Sequence, residues 1–223
     1  MKKSVLAILL VISFSSIYAQ NVVRVNEQSH QVFFKVNSSG AGRSLTYDEI
    51  LGTPYLTKNF SLAKIADNYE KAPVRYNSYK DEIEFQKDGT TLALPKESQF
   101  SRIEILSPKQ TLVSLETNDD LSGYFFELVN GKTSLYKKIK TKFNDFEPAA
   151  NSYATDKPAS FRTQDPVYYI KAEKGFIKKP KGAKDIIEQF PDKKDVIEAF
   201  VKSNKIKFNK EEDLIKLVNF LNQ

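Results

Sequence analysis

Residues 124–143 read YFFELVNGKTSLYKKIKTKF and carry the most specific short-range fold signal of the chain. Two runs of β-forming residues, 124–129 and 134–143, flank Asn130-Gly131. Asn-Gly between such runs is typical of a β-hairpin, because both residues tolerate the positive φ that a tight turn requires. We therefore predict two antiparallel strands here.

The same pattern recurs on both sides of this stretch. Residues 83–86 and 91–94 flank Lys87-Asp88-Gly89, and residues 167–171 and 176–178 flank Glu173-Lys174-Gly175. Further strands are predicted over residues 31–36, 60–65 and 74–79 from their β-forming or alternating composition. Closely spaced strands joined by tight turns favour an antiparallel sheet over βαβ units.

The hydrophobic period changes after Pro180. Short helices are predicted around residues 186–190 and 196–201, and a third begins at the N-cap Asn209 with Glu212 in the capping-box position. The apolar face of this third helix is formed by Leu214, Leu217, Val218 and Leu221. The predicted fold class is thus α+β: an antiparallel β-sheet over residues 20–180, either a sandwich or a curved half-barrel, followed by a small C-terminal helical segment, 181–223, docked on the sheet.

The N-terminus is typical of a secretory signal peptide, predicted over residues 1–19. Lys2 and Lys3 precede an apolar run, and Ala19 supplies the small residue at the cleavage site, so the mature chain is expected to begin at Gln20. The alternative is an uncleaved anchor, for which the apolar run is too short. We expect export to the periplasm or secretion. A lipoprotein is not expected, because the chain has no cysteine to acylate.

Composition excludes most catalytic and metal chemistry. The 223 residues include no Cys, no Trp and a single His, His30, so thiolate nucleophiles and multi-histidine zinc sites cannot form. Neither a cofactor nor a metal is expected. Glu82 and Glu84 share a strand face and could form an acid/base pair, but no nucleophile or calcium loop accompanies them, so exposed strand carboxylates are the favoured interpretation.

The positive charge is regional. Residues 1–129 contain 14 Lys/Arg and 15 Asp/Glu, residues 130–184 contain 13 and 5, and residues 185–223 contain 7 and 8. The whole excess of the +6 chain therefore lies between residues 130 and 184. This stretch predicts a basic surface.

Six residues are the candidate ligand-binding residues of that surface. On a continuous strand over residues 134–143, Lys138, Lys140 and Lys142 would project from one face. Lys178 and Lys179 would lie beside them if the later hairpin is adjacent, and Tyr168 could offer a ring. An anionic envelope polymer, a lipid headgroup or a protein would suit this surface, whereas nucleic acid is not expected for an exported chain. The alternative is a solvated sheet face whose lysines discourage edge pairing.

Three stretches resemble uncharacterised exported β-rich proteins of Gram-negative bacteria: GTPYL at 52–56, APVRYN at 72–77 with DEIEF at 81–85, and DLIKL at 213–217. The resemblance implies an envelope protein without an assigned activity and transfers no functional residue. We therefore predict a non-enzymatic exported binding or interaction module. The alternatives are a periplasmic carrier of an apolar or lipid ligand in a curved sheet and, more remotely, a hydrolase.

Overall fold

The structure, a computed structural model, describes residues 30–66 and 71–223. Within those ranges the chain forms fourteen β-strands, three α-helices and three short 3-10 turns. Most of the fold is antiparallel sheet and the helices are confined to the C-terminal end, so the predicted α+β class is confirmed. The predicted signal peptide and the cleavage site before Gln20 lie outside the described residues.

The elements follow one another as strands and then helices. The strands are β1 Lys35–Ser38, β2 Arg43–Thr46, β3 Ser61–Lys64, β4 Ala72–Asn77, β5 Glu82–Lys87, β6 Thr90–Ala93, β7 Arg102–Ile105, β8 Gln110–Leu115, β9 Gly123–Val129, β10 Ser134–Lys138, β11 Thr141–Asn144, β12 Ser160–Thr163, β13 Val167–Ala172 and β14 Gly175–Lys178. The helices are α1 Ala183–Ile187, α2 Lys194–Ser203 and α3 Glu211–Leu221.

Ten strands form one sheet in the order β14-β13-β10-β9-β8-β7-β3-β4-β5-β6, with every neighbouring pair antiparallel. Two neighbouring pairs are not formed by consecutive strands. β3 pairs with β7 across the inserted β4–β6 segment, and β10 pairs with β13 across β11 and β12. The strands β1–β2 and β11–β12 form two separate two-stranded sheets.

The three predicted hairpins are present, and their turns follow the residue chemistry. Asp88 and Gly89, between β5 and β6, have φ of 48° and 79°, as a type I′ turn requires. Two residues, Glu173 and Lys174, join β13 to β14. The connection from β9 to β10 is longer than the Asn-Gly pair alone, and the pairing shifts register between Leu135 and Tyr136.

The large sheet rolls up without closing. β4 and β9 are four positions apart in the strand order, which would separate them by ~19 Å in a flat sheet. The ring centroids of Tyr76 on β4 and Phe126 on β9 are nevertheless only 5.8 Å apart. One apolar cluster fills the space between, with Phe85, Phe100, Ile103 and Leu112 fully buried. Of the two predicted arrangements, the curved half-barrel describes this sheet.

The helical segment packs against the other half of the sheet. Leu135 and Ile170 from β10 and β13 share a cluster with Ile186, Ile197 and the predicted apolar face of α3. The C-terminal end is tied down as well, because the Asn222 side-chain amide exchanges two hydrogen bonds of 2.8 Å with the backbone of Thr133.

The start of α3 differs from the prediction by one residue. The N-cap is Lys210 and not Asn209, and its side chain makes no capping hydrogen bond. Asp213, the third helical residue, accepts from the Lys207 N–H at 3.1 Å and so ties the preceding loop to the first turn of α3. Glu212 is exposed.

Candidate functional site

The predicted row of three lysines on one strand face does not exist, because β10 ends at Lys138. The chain leaves the large sheet at Ile139, which is buried in the core of the rolled sheet, and the Thr141 N–H donates to the Ser78 carbonyl at 3.0 Å. Thr141 then begins β11 in a different sheet. The alternation of side chains is therefore interrupted between Lys138 and Lys142.

Lys138 points into the protein and is only 3% exposed. Its Nζ donates to Asp81 Oδ1 at 2.7 Å and to the Tyr124 carbonyl at 3.0 Å, and it lies 4.9 Å from the centre of the Phe125 ring. Burial lowers the pKa of Lys138, although the Asp81 carboxylate opposes that shift. The structure therefore corrects the predicted position of Lys138, whose side chain is turned into the protein and does not face solvent.

Asp81, Tyr124 and Lys138 form what we call the sheet seam, the contact that joins the β4–β5 turn to β9 and β10. Asp81 also accepts from the Tyr76 hydroxyl at 2.7 Å and from the Tyr124 N–H at 3.2 Å. Gly123 makes this approach possible. A Cβ added there would lie 1.7 Å from Asp81 Oδ2, and its φ of 130° is one that side-chain-bearing residues rarely adopt.

Lys140 and Lys142 are exposed, but they lie on different structural elements from Lys178. Lys142 is directly opposite Arg162 in the β11–β12 pair, and Lys140 reaches only the Asp120 carbonyl, at 3.5 Å. Lys178 is engaged by Asp119 at 2.9 Å, and Tyr169 donates to the same carboxylate at 2.7 Å. The hydrogen bond to Asp119 raises the pKa of Lys178 above its ordinary value.

Two of the six predicted residues do meet in one concave site, which we call the basic groove. It encloses about 680 Å³ between β13, the chain that follows β14 and the loop before α3. Its lining residues are Asp165, Pro166, Tyr168, Lys179, Pro180, Lys181, Phe208 and Asn209. A volume in this range is typical of small-ligand sites.

The hydroxyl of Tyr168 in the basic groove is hydrogen-bonded to a residue outside the groove lining. Tyr168 donates its hydroxyl hydrogen to Glu211 Oε2 at 3.1 Å, and Lys137 binds the same oxygen at 2.8 Å. Burial, with the nearby Glu211 charge, raises the pKa of Tyr168 to about 12. The hydroxyl therefore stays protonated near neutral pH, and the ring is fixed relative to the helical segment.

The ammonium groups of the two lysines in the basic groove are not paired with a carboxylate in the described part of the chain, although the Lys181 backbone N–H donates to Asp185 Oδ2 at 2.6 Å. Within residues 30–66 and 71–223, neither Lys179 nor Lys181 forms an ion pair. This distinguishes them from Lys138 and Lys178, whose charges are compensated. Phe208 and Asn209 are the part of the groove that the sequence could not indicate, because they join Tyr168 only through docking of the helical segment.

Glu84 is held in the interior by three neighbouring side chains. It is fully buried, and its Oε2 accepts from Arg75 Nε and lies within 2.7 Å of Nη2. Its Oε1 accepts from Asn77 at 2.8 Å and from Tyr55 at 3.3 Å. Arg75 lies directly opposite Glu84 in the β4–β5 register, so the hairpin pattern contained a signal for this pair.

Comparisons with known proteins add no further constraint: no family model, curated protein or solved structure matches the chain. In the part of the chain that the structure describes, no helix is long and apolar enough to cross a membrane. Within the same residues, no group of three or more acidic or histidine side chains is arranged to hold a metal ion.

Proposed function

We propose that this chain is a non-enzymatic exported envelope protein that binds an anionic partner in the basic groove. The observation that carries the proposal is the meeting of the unpaired Lys179 and Lys181 with the fixed ring of Tyr168. The N-terminal pattern of residues 1–19 and the resemblance of the sequence to exported proteins support the location.

The charge around the groove favours an anion. Lys207 and Lys210 are exposed and flank Phe208 and Asn209 in sequence, so the rim adds two cations to Lys179 and Lys181. Asp165 is the acidic residue of the lining, Asp185 accepts from the Lys181 backbone N–H at 2.6 Å, and Asp213 accepts from the Lys207 backbone N–H at 3.1 Å. These three carboxylates stand against the four lysines, and the charge of Glu211 is compensated by Lys137. The groove and its rim thus carry a positive excess, which attracts anionic ligands over a Debye length.

The apolar lining restricts the class of anion further. The rings of Tyr168 and Phe208 and the prolines Pro166 and Pro180 provide flat apolar surface beside the ammonium groups. An anionic group carried by a ring or an acyl stem fits such a surface better than a free ion does. The partner is therefore an acidic envelope polysaccharide or an anionic lipid headgroup.

The two other functions considered from the sequence have less support. A carrier that holds its ligand inside the curved sheet needs internal space, yet Phe85, Phe100, Ile103 and Leu112 fill the rolled half with no exposed surface. A hydrolase based on Glu82 and Glu84 would need a free carboxylate, and the oxygens of Glu84 are occupied by Arg75, Asn77 and Tyr55.

The test is a binding titration of the full chain with two probes, dextran sulfate and vesicles of phosphatidylglycerol in phosphatidylcholine. Binding of either probe is expected at about 50 mM salt and should weaken at about 300 mM, where the Debye length falls to roughly 6 Å. The double variant Lys179→Gln with Lys181→Gln should lose about tenfold in affinity, and the probe that binds identifies the source of the anion.

The matched control replaces two exposed loop lysines that make no ion pair in the described structure, Lys109→Gln with Lys132→Gln. This variant has the same net charge and should bind within about twofold of wild type. An equal loss in both variants would assign the effect to net charge alone. Failure of wild type to bind either probe would also reject the proposal.

A further inference from the structure

A second concave site lies on the other half of the molecule, and we call it the aromatic groove. It encloses about 590 Å³ between the segment 32–35, the residues around the 3-10 turn Tyr47–Glu49 and the loop 52–58. Its floor contains Tyr47, Tyr55 and Arg75. The groove is outside the rolled sheet and shares no lining residue with the basic groove.

The floor of the aromatic groove is formed mainly by aromatic rings, although Arg75 is part of it. The centre of the Arg75 guanidinium lies 3.9 Å from the Tyr55 ring centroid and 4.4 Å from that of Phe60. Its charge is compensated by the fully buried Glu84, and its Nη2 also contacts the Tyr55 hydroxyl at 2.8 Å. Arg75 therefore holds the rings in place and has little free charge for a ligand.

One wall consists of two exposed rings. Phe33 is 68% exposed and Phe34 is 39% exposed, and both line the groove. Adjacent side chains in an extended segment normally point in opposite directions, so one of a pair is usually buried. Large apolar side chains exposed together beside a cavity mark a ligand or partner contact.

The rim supplies the charge that selects the ligand. Lys35 and Lys58 are exposed lining residues, and neither forms an ion pair within residues 30–66 and 71–223. Asp48 is the acidic residue of the lining. One positive charge is therefore left over at the edge of an apolar cavity, which is complementary to a molecule with an apolar body and one negative end.

We propose that the aromatic groove binds a single-chain anionic amphiphile, a fatty-acid-like carboxylate. The acyl chain lies against Phe33, Phe34 and the Tyr55 ring, and the carboxylate is bound by Lys35 and Lys58. The volume lies within the range of ~300–1000 Å³ found for small-molecule sites. This site shares no lining residue with the basic groove, so substitutions in one groove test its proposal separately from the other.

The test titrates the full chain with laurate, below the concentration at which laurate forms micelles, by calorimetry. Dodecanol, which has the same chain without the charge, is the comparison ligand. Phe33→Ser should weaken laurate and dodecanol alike, each by about tenfold, because it removes apolar contact. Lys35→Gln with Lys58→Gln should weaken laurate by about fivefold and leave dodecanol unchanged, because it removes the contact to the carboxylate.

Two controls make the result specific. Leu106→Ser removes a side chain with 42% exposure outside the groove, and Lys179→Gln with Lys181→Gln removes two cations from the basic groove. Both should bind laurate like wild type. Laurate binding by Phe33→Ser at wild-type strength, or no laurate binding by wild type, would overturn the proposal. Nuclear Overhauser contacts between the Phe33 ring and the laurate chain in the wild-type protein provide a test that needs no substitution.

Discussion

The two halves of the large sheet differ in whether charged side chains lie in their interior. In the rolled half, β3 to β9, Glu84 is fully buried against Arg75. Asp81 of this half also pairs with Lys138, which is 3% exposed and lies at the end of β10, where β10 borders the rolled half. In the helix-covered half, β10, β13 and β14, the interior is apolar and the ion pair Lys178–Asp119 faces solvent.

The difference follows from what covers each half. Helices α1 to α3 bring apolar side chains such as Leu217 onto Leu135 and Ile170, so no charge needs to be buried there. Among residues 30–66 and 71–223, no α-helix covers the rolled half, and its turns and strands approach one another directly, as Asp81 approaches Gly123. Charged groups that become buried where these segments meet must be paired, because an unpaired buried charge costs several kcal/mol.

The largest expected effect on stability comes from disrupting the buried ion pair of the rolled half, Arg75 with Glu84. Glu84→Gln leaves the Arg75 guanidinium largely buried without a counter-charge and should lower the free energy of unfolding by about 4 kcal/mol. Urea denaturation measures the change. The control is Glu104→Gln on β7, whose pair with Arg102 is exposed and should contribute about 1 kcal/mol or less. Equal effects of the two substitutions would mean that burial does not distinguish the pairs.

The next effect concerns the apolar interior of the helix-covered half. Leu217 is fully buried between α3 and the sheet, so Leu217→Ala should cost about 3 kcal/mol through lost burial and a cavity. Val196 on α2 is 57% exposed, and Val196→Ala should change the urea midpoint little. A small effect at Leu217 would show that the helical segment does not stabilise the sheet.

A smaller effect is expected at the sheet seam. Gly123→Ala places a Cβ on Asp81 Oδ2 and imposes an unfavourable φ, so it should cost about 2 kcal/mol by thermal unfolding. Gly89 also has positive φ, but no atom lies within 4 Å of an added Cβ. Gly89→Ala therefore reports the backbone cost alone, and it should be the milder of the two substitutions; the reverse order would contradict the close approach at the seam.

The smallest expected effect on stability concerns the exposed ion pair of Asp119 with Lys178, and it depends on pH. Burial raises the pKa of Asp119, but hydrogen bonds from Lys178, Tyr169 and Thr117 outweigh it and bring the pKa well below the ordinary value of 3.8. The carboxylate thus binds protons less readily in the folded chain, so its contribution is present above about pH 4 and is lost as the pH falls further.

Asp119→Asn should accordingly be less stable than wild type at pH 7, with a gap that narrows towards pH 2, as measured by urea midpoints at each pH. Asp120→Asn is the control, because Asp120 is 80% exposed and 3.6 Å from Lys178. A gap for Asp119→Asn that stays constant with pH would show that the carboxylate charge is not responsible.

The hairpins and helices could be predicted from the sequence because their signals are local. Asp88-Gly89 and Glu173-Lys174-Gly175 impose turns on their neighbours, and the apolar face of α3 depends only on its own spacing. The sequence interpretation contained no strands corresponding to β2, β7, β8 or β12, although residues 102–105 of β7 alternate polar and apolar side chains. β7 pairs with β3 and β12 pairs with β11 across intervening segments, and no local pattern shows such pairings.

The candidate site could be predicted only in part, for the same reason. Tyr168 lies in one predicted hairpin, Lys179 directly follows it, and the two share the basic groove. Lys138 could not be placed, because its burial depends on Asp81, 57 residues earlier, and on a roll of the sheet that no local pattern encodes. Phe208 and Asn209 join the groove only because the helical segment docks on the sheet.

The sheet seam also sets an order of events during folding. Hairpins such as β5–β6 and β13–β14 close short loops and form in about 1–10 μs. The seam must bring Asp81 to residues 43 and 57 positions away, which carries a larger loop-closure entropy and is expected after the hairpins have formed. Contacts made after the transition state act mainly on the unfolding rate. If the seam closes after the transition state, Gly123→Ala should speed unfolding far more than it slows folding, and stopped-flow measurement of both rates tests this order.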